Sequence, residues 1–165
     1  DLRIDYSILD QHADSYRKIR STFRFLLGNL NDNFEIIDLE KIELNKLPDL
    51  EQYMLHKLYS LNNNFKKYFK NYDFHNLYKE LLNFCTVDLS AFYFDIRKDL
   101  LYCDPLNSKK RSDCIKVLNI ILKCLLKWFA PILSFTTEEI FKLINHIFVI
   151  NLKNTNNQIS TFDFF

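Results

Sequence analysis

Cationic side chains are concentrated in one segment near the N-terminus of the chain. Between Asp14 and Asp32 the sequence carries four cations and no acid, so nothing within the segment neutralises the positive charge. At 3.6 residues per helical turn, several polar positions of this segment share a sector of roughly 100° that flanks an apolar stripe. We call this surface the arginine ridge, which consists of Arg17, Arg20, Ser21 and Arg24. Guanidinium groups arranged in this way could hold phosphates.

The residues alone support two interpretations of the arginine ridge. It could be a solvated face, or its arginines could pair with acids of a later helix such as Asp88, Asp95 and Asp99. It could instead bind a nucleic acid, with Phe25 beside the ridge stacking on an unpaired base. Phe25 could equally pack beneath the segment 31–47.

A second group of cations lies in the later part of the chain. Arg97 and Lys98 fall near the end of a long helical pattern, and Lys109, Lys110 and Arg111 open the next one. Cations at a helix N-terminus oppose the helix dipole, and a bound phosphate would relieve that conflict. A solvated run in a lysine-rich chain is the alternative.

Motifs for catalysis, phosphate-cradling loops and metal binding are absent from the sequence. A single glycine leaves no glycine-rich loop, and no G-x-S-x-G or E-x-x-H pattern occurs. The four cysteines form no C-x-x-C pair, and the four histidines are scattered. We therefore expect no metal and no cofactor in this chain, and we expect its thiols to be reduced and buried as packing groups. The cysteines are Cys85, Cys103, Cys114 and Cys124.

The spacing of apolar residues predicts helices along most of the chain. The predicted spans are 7–30, 48–71, 74–102, 108–129 and a short helix over 137–146. Residues 31–47 are predicted to be a loop, and residues 147–165 an irregular tail containing an edge strand or a linker. The fold class is thus an all-α antiparallel bundle of four long helices and a short fifth, with a domain over 1–146 and a tail over 147–165. The predicted core comprises Leu9, Tyr16, Phe23, Leu61, Phe65, Phe84, Phe92, Leu118, Leu122 and Trp128.

Length, charge and hydropathy limit the class of protein further. The chain has 165 residues, enough for one core, and a net charge of +1, so any attraction for polyanions must come from local clusters. No stretch approaches the roughly 18 unbroken apolar residues of a membrane-spanning helix, and no basic segment followed by an apolar core opens the chain. These features favour a cytoplasmic monomer without a membrane partner.

Four stretches of the chain, in the same order, resemble the domain that follows the catalytic core in bacterial isoleucyl-tRNA synthetases. They are DLRIDYSIL, YRKIRSTFRFLLGNLND, YDFHNLYKELLNFCTVDLSAFYFDIRKDLLYCD and WFAPILSFTTEEIF. The resemblance covers most of residues 1–141. Its last stretch is shared more loosely with valyl and leucyl relatives.

The resemblance implies an all-α anticodon-binding domain whose partners are isoleucine tRNA and a catalytic domain of the same polypeptide. That absent domain would use ATP and Mg to form isoleucyl-adenylate, so the chain by itself is not expected to be an enzyme. The first helix of such domains turns a polar face to the anticodon stem-loop, and here this face maps onto the arginine ridge. The zinc module that closes many family members is missing, so metal binding is not carried over.

A tRNA stem-loop presents phosphates and splayed bases, which divides the expected contacts into two kinds. The cations of both groups would supply affinity, whereas Phe25 and Asn29 would supply selectivity. The alternative function is a helical protein-interaction bundle whose apolar grooves hold a partner helix.

Overall fold

The structure, a computed structural model, describes residues 5–30 and 43–155, with side chains as far as residue 146. Every regular element in these ranges is helical, so the predicted all-α class is confirmed. The elements are α1 (Tyr6–Leu30), a short 3₁₀ helix (Leu44–Lys46), α2 (Asp49–Lys70), α3 (Phe74–Asn83), a π-helix (Phe84–Tyr93), α4 (Phe94–Cys103), α5 (Lys109–Phe129) and α6 (Ser134–Thr155). The segments α3, π-helix and α4 follow one another without a break, as the predicted single helix over 74–102 requires.

Contacts between side chains show that consecutive helices run in opposite directions. Polar contacts join α2 to the α3–π–α4 helix at Asn64 with Glu80, Lys57 with Asp88 and Glu51 with Arg97. Residue numbers rise on one helix as they fall on the other, so the two helices are antiparallel. Helix α1 runs parallel to α3–π–α4, because Thr22 contacts Cys85 and Phe25 stacks on Phe94. The predicted antiparallel bundle is therefore confirmed.

Helix α5 is the centre of the core and packs against α1, α2, α4 and α6. Its apolar residues are buried around much of its circumference, including Leu118, Ile121, Leu122 and Leu125, each fully inaccessible to solvent. No helix in the described part of the chain is both long and apolar enough to cross a membrane.

Most of the predicted core is confirmed. Six of the ten residues are buried, namely Phe23, Leu61, Phe84, Leu118, Leu122 and Trp128. Tyr16 and Phe65 are half-buried. Leu9 was wrongly assigned to the core and is 54% exposed. The apolar stripe of α1 continues through Leu9, but residues 5–12 are all exposed, so no described element covers that part of the stripe.

The prediction that Phe92 is buried is also wrong, because the π-helix changes the helical period. Hydrogen bonds in a π-helix join residues five apart, which widens the turn beyond 3.6 residues. The side chains that follow are therefore displaced around the helix axis. Tyr93 and Phe94 occupy the core positions, whereas Phe92 and Ile96 are 39% and 48% exposed.

A buried polar cluster, the Glu51 network, connects α2, the π-helix, α4 and α5. Both carboxylate oxygens of Glu51 accept hydrogen bonds from Arg97, at 2.7 Å from Nε and 2.6 Å from Nη2. The Tyr93 hydroxyl donates to the same carboxylate at 3.2 Å and lies 3.6 Å from the Cys114 sulfur. Glu51 lies in the first turn of α2, where the helix dipole also favours a negative charge.

Helix α6 differs from the predicted short helix at both ends. It begins at Ser134 rather than near 137, and the Thr137 hydroxyl donates to the carbonyls of Leu133 and Ser134 within the first turn. It continues to Thr155, so the prediction of a strand or linker is wrong for residues 147–155. Residues 31–42 of the predicted loop over 31–47, and residues 156–165 of the predicted tail, lie outside the described residues.

Replacing Arg97 by Met is expected to lower the free energy of unfolding by roughly 3–5 kcal/mol, because Glu51 would remain buried without its cation. Replacing both Glu51 and Arg97 by Met should recover most of this loss, since two apolar side chains need no counter-charge. Urea unfolding followed by circular dichroism measures both changes.

Lys98→Met is the matched control for this experiment. Lys98 forms an exposed ion pair with Asp95, and its loss should leave the unfolding midpoint unchanged. Equal midpoints for Arg97→Met and Lys98→Met would contradict the structural role assigned to Arg97.

Candidate nucleic-acid interface

The arginine ridge lies on the face of α1 that the other helices leave uncovered. The adjoining faces of α1 are held by Phe23, which makes an edge contact with Phe129 at 5.9 Å, and by Thr22, whose hydroxyl reaches the Cys85 carbonyl. Because these contacts fix the rotation of α1 about its axis, all four members of the ridge are exposed, namely Arg17, Arg20, Ser21 and Arg24.

Two of the three acids that could have neutralised the ridge are paired with lysines instead. Asp88 pairs with Lys57 at 3.1 Å, and Asp95 pairs with Lys98 at 2.7 Å. Arg17 does form an ion pair, with Asp14 one turn earlier, but both side chains are largely exposed and such pairs contribute little. Within the part of the chain that the structure describes, Arg20 and Arg24 have no carboxylate at ion-pair distance.

Arg20 and Arg24 also line an open cleft of about 550 Å³ between α1 and α6. The remaining lining residues of this α1–α6 cleft are Phe23, Leu27, Gly28, Thr136, Glu139, Ile140 and Leu143. A Cβ atom added at Gly28 would meet no heavy atom within 4 Å, so the α1 wall of the cleft is open at this point. The cleft therefore combines apolar side chains with two cations and one carboxylate. It can accept a flat apolar group that carries a negative charge.

The contribution of α6 to this site was missed by the sequence analysis. The Tyr16 hydroxyl lies 3.0 Å from the Thr136 hydroxyl, a contact across 120 positions that brings the start of α6 beside α1. The cleft exists because α1 and α6, which are distant in sequence, pack side by side. The apolar spacing within α6 signals a buried face but does not indicate which helix it meets.

Phe25 and Asn29, the predicted selectivity residues, are engaged within the fold. The Phe25 ring stacks on Phe94 with centroids 4.1 Å apart and planes 16° from parallel, so one face of the ring is covered. The Asn29 side-chain amide donates to the Phe25 carbonyl at 2.9 Å. Phe25 therefore packs against α4 rather than only beneath the segment 31–47, and the selectivity roles of Phe25 and Asn29 stay predictions.

The second group of predicted cations is divided by the structure. Arg97 belongs to the Glu51 network and its side chain is 18% exposed, so its guanidinium is already engaged within the fold. Arg111 is half-buried and donates from Nε to the Leu101 carbonyl at 3.2 Å, which ties the start of α5 to the end of α4. Lys98 is paired with Asp95, whereas Lys109 and Lys110 are exposed in the first turn of α5.

The four cysteines are unpaired, and three of them are shielded by the core. Burial raises the pKa of Cys85 to about 12 and the pKa of both Cys114 and Cys124 to about 11. Cys103 is exposed, so the expectation that all four thiols are packing groups is wrong for this one. Among the described residues, no group of three His, Cys, Asp or Glu side chains could hold a metal ion.

The fold is thus a helical bundle that displays cations along one exposed edge of its first helix. The sequence family described as the anticodon-binding domain of tRNA ligase matches residues 51–163, and the chain belongs to this family.

Several relatives extend the comparison to the first helix and confirm the resemblance. The chain is 77% identical over 145 residues to isoleucine–tRNA ligase of Pelagibacter ubique, an alignment that covers 88% of the chain and 16% of that protein. It is 42% identical over 141 residues to isoleucine–tRNA ligase of Desulforudis audaxviator, covering 86% of the chain and 15% of that protein. It is 44% identical over 141 residues to isoleucine–tRNA ligase of Ruegeria pomeroyi, covering 86% and 14%. The chain thus spans about a sixth of the length of these relatives, and the matches do not favour a protein-interaction bundle.

A maleimide reagent at pH 7.5 is expected to label the native chain once, at Cys103. The other three thiols stay protonated because their pKa values are raised by burial, and only the thiolate reacts. Mass spectrometry of the intact protein measures the count. Labelling at four sites in urea is the control, and rapid labelling of a second site in the native chain would contradict the burial described here.

Proposed function

We propose that the chain binds the anticodon stem-loop of isoleucine tRNA within an isoleucine–tRNA ligase. The observation that carries this proposal is the position of Arg20 and Arg24, exposed and unpaired among the described residues at the edge of the α1–α6 cleft. Membership of the anticodon-binding family supports it.

The ridge and the cleft suit the two chemical parts of a stem-loop. Arg20 and Arg24 would contact phosphates and release condensed counterions, which makes the affinity dependent on salt. The apolar cleft beside them would shelter an unpaired base, whose polar edge Glu139 and Thr136 could contact. Arg17 would join the phosphate contacts by releasing Asp14, an exposed partner that is easily replaced.

The catalytic step belongs to a different part of the proposed polypeptide. A catalytic domain of the same chain would use ATP and Mg to activate isoleucine, while the bundle holds the RNA. The bundle would contribute no group to that reaction and would need no cofactor of its own. We place the whole enzyme in the cytoplasm as a monomer.

Replacing Arg20 and Arg24 by Glu should abolish measurable binding of an isoleucine-tRNA transcript at moderate salt. Milder Arg20→Gln and Arg24→Gln changes together should flatten the plot of log affinity against log salt by about 1.4, since each phosphate contact on single-stranded RNA contributes roughly 0.7. Fluorescence anisotropy at several salt concentrations measures both quantities.

The matched control replaces Lys46 and Lys79 by Glu, two exposed cations outside the ridge and the cleft. This control makes the same change in net charge, so it separates a local contact from a general loss of positive charge. Unchanged affinity and slope in a folded Arg20 and Arg24 variant would leave the ridge as a solvated face.

A further inference from the structure

The turn between α2 and α3 displays aromatic rings and lysines that neither the fold nor the arginine ridge requires. Phe69, Tyr72 and Phe74 are 47%, 81% and 42% exposed, although large apolar rings are ordinarily buried. Three exposed lysines, Lys66, Lys67 and Lys70, lie on the last turns of α2 beside them. We call these six residues the aromatic turn.

The rings of the aromatic turn form a continuous series that begins in the core. Trp128 is buried and stacks on Phe65 at 6.2 Å, and Phe65 stacks on Phe69 at 5.7 Å. Phe69 meets Phe74 edge-on at 5.9 Å, and Phe74 meets Tyr72 at 6.4 Å. The exposed rings are therefore held in position by buried ones. They present a firm apolar surface to the solvent.

Tyr72 occupies a backbone conformation that disfavours a tyrosine. Its φ is 56°, the one positive value among the described non-glycine residues. The Asp73 amide donates to the Tyr68 carbonyl at 2.9 Å, the bond that closes a helix end at which glycine is the usual residue. A tyrosine at this position costs stability and contributes no burial, since 81% of the side chain faces solvent.

The charge around these rings is positive. From Gln52 to Tyr72 the sequence contains four lysines and no acid. The next acid, Asp73, caps α3 by accepting from the Asn76 amide and side chain, and these bonds lower the pKa of Asp73. Lysines at a helix C-terminus are favoured by the dipole, but the dipole does not account for the exposed rings.

We propose that the aromatic turn is a second RNA-binding surface, at which an unpaired nucleotide stacks on Tyr72 and its phosphates contact Lys67 and Lys70. Exposed rings interleaved with cations are the chemistry that holds single-stranded nucleic acid without reading its sequence. The surplus of lysines favours a polyanion over a neutral protein surface. The inference rests on the proposed function, because it assigns this second contact to the same tRNA.

The aromatic turn lies at the start of the α3–π–α4 helix, and the arginine ridge lies farther along the parallel helix α1, because Thr22 contacts Cys85 and Phe25 stacks on Phe94. Helices α1 and α3 are in contact with each other, so neighbouring helices display the two surfaces. A single RNA that lies along α1 would contact the ridge on the side of α1 that faces α6, and the aromatic turn at the start of α3.

Tyr72→Gly tests the proposal without risking the fold, since glycine suits the positive φ and should leave the melting temperature equal or higher. Binding of the isoleucine-tRNA transcript should weaken by roughly 5- to 100-fold through the loss of one stacked base. Tyr72→Phe keeps the ring and should bind like the parent chain. Tyr59→Ala removes another exposed tyrosine, on the outer face of α2, and should also leave binding unchanged.

Charge reversal provides a second measurement. Lys67→Glu with Lys70→Glu should weaken tRNA binding and flatten its salt dependence, whereas Lys46→Glu with Lys79→Glu should do neither. A photoreactive benzoylphenylalanine at position 72 should cross-link to the tRNA transcript, and the same group at position 59 should not.

The outcomes separate this proposal from the function on which it rests. Weaker binding in the arginine variants but full binding in Tyr72→Gly and the lysine pair would overturn the second surface and leave the ridge intact. Weaker binding in the turn variants alone would support the second surface and reject the ridge. Binding to vesicles of phosphatidylglycerol that Tyr72→Gly abolishes, with unchanged tRNA affinity, would overturn the proposal in favour of a membrane surface. A cross-link from position 72 to protein in place of RNA would overturn it in favour of a docking site.

Discussion

A single carboxylate, Glu51, lies where α2, the π-helix, α4 and α5 meet, and its charge must be balanced inside the bundle. Arg97 supplies that balance through two hydrogen bonds, and Tyr93 supplies a third. Since removing one member would leave the others buried and unsatisfied, the network favours one relative position of these four segments over neighbouring ones. The π-helix is part of the same constraint, because it sets Tyr93 rather than Phe92 toward Glu51.

The arrangement of the other helices follows from this frame. Helix α5 fills the centre, and α1 packs on it through Phe23 and on the π-helix through Thr22. These contacts use one side of α1 and leave its cationic side exposed. The start of α6 packs beside Tyr16 in the middle part of α1 and forms one wall of the open cleft beside Arg20 and Arg24. The net charge of the chain is only +1, so the local positive surface on α1 depends on how these helices pack.

The two cationic surfaces differ in what stands beside the charge. The arginine ridge adjoins a cleft, which suits a base inserted edgewise, whereas the aromatic turn offers open rings, which suit stacking. Arg97 differs from both surfaces, because its cation pairs with the buried Glu51 carboxylate and stabilises the fold.

Local properties of this protein were determined by the sequence alone. The helices α1, α2 and α5 and the shared sector of Arg17, Arg20 and Arg24 could be predicted, because helical hydrogen bonds join residues four apart and the pattern repeats within that distance. Only the tertiary structure decided that Arg97 pairs with Glu51, that Leu9 stays exposed, and that α6 forms one wall of the cleft. Each of these depends on which residues distant in sequence come into contact. The apolar spacing within one helix does not specify which helix it packs against.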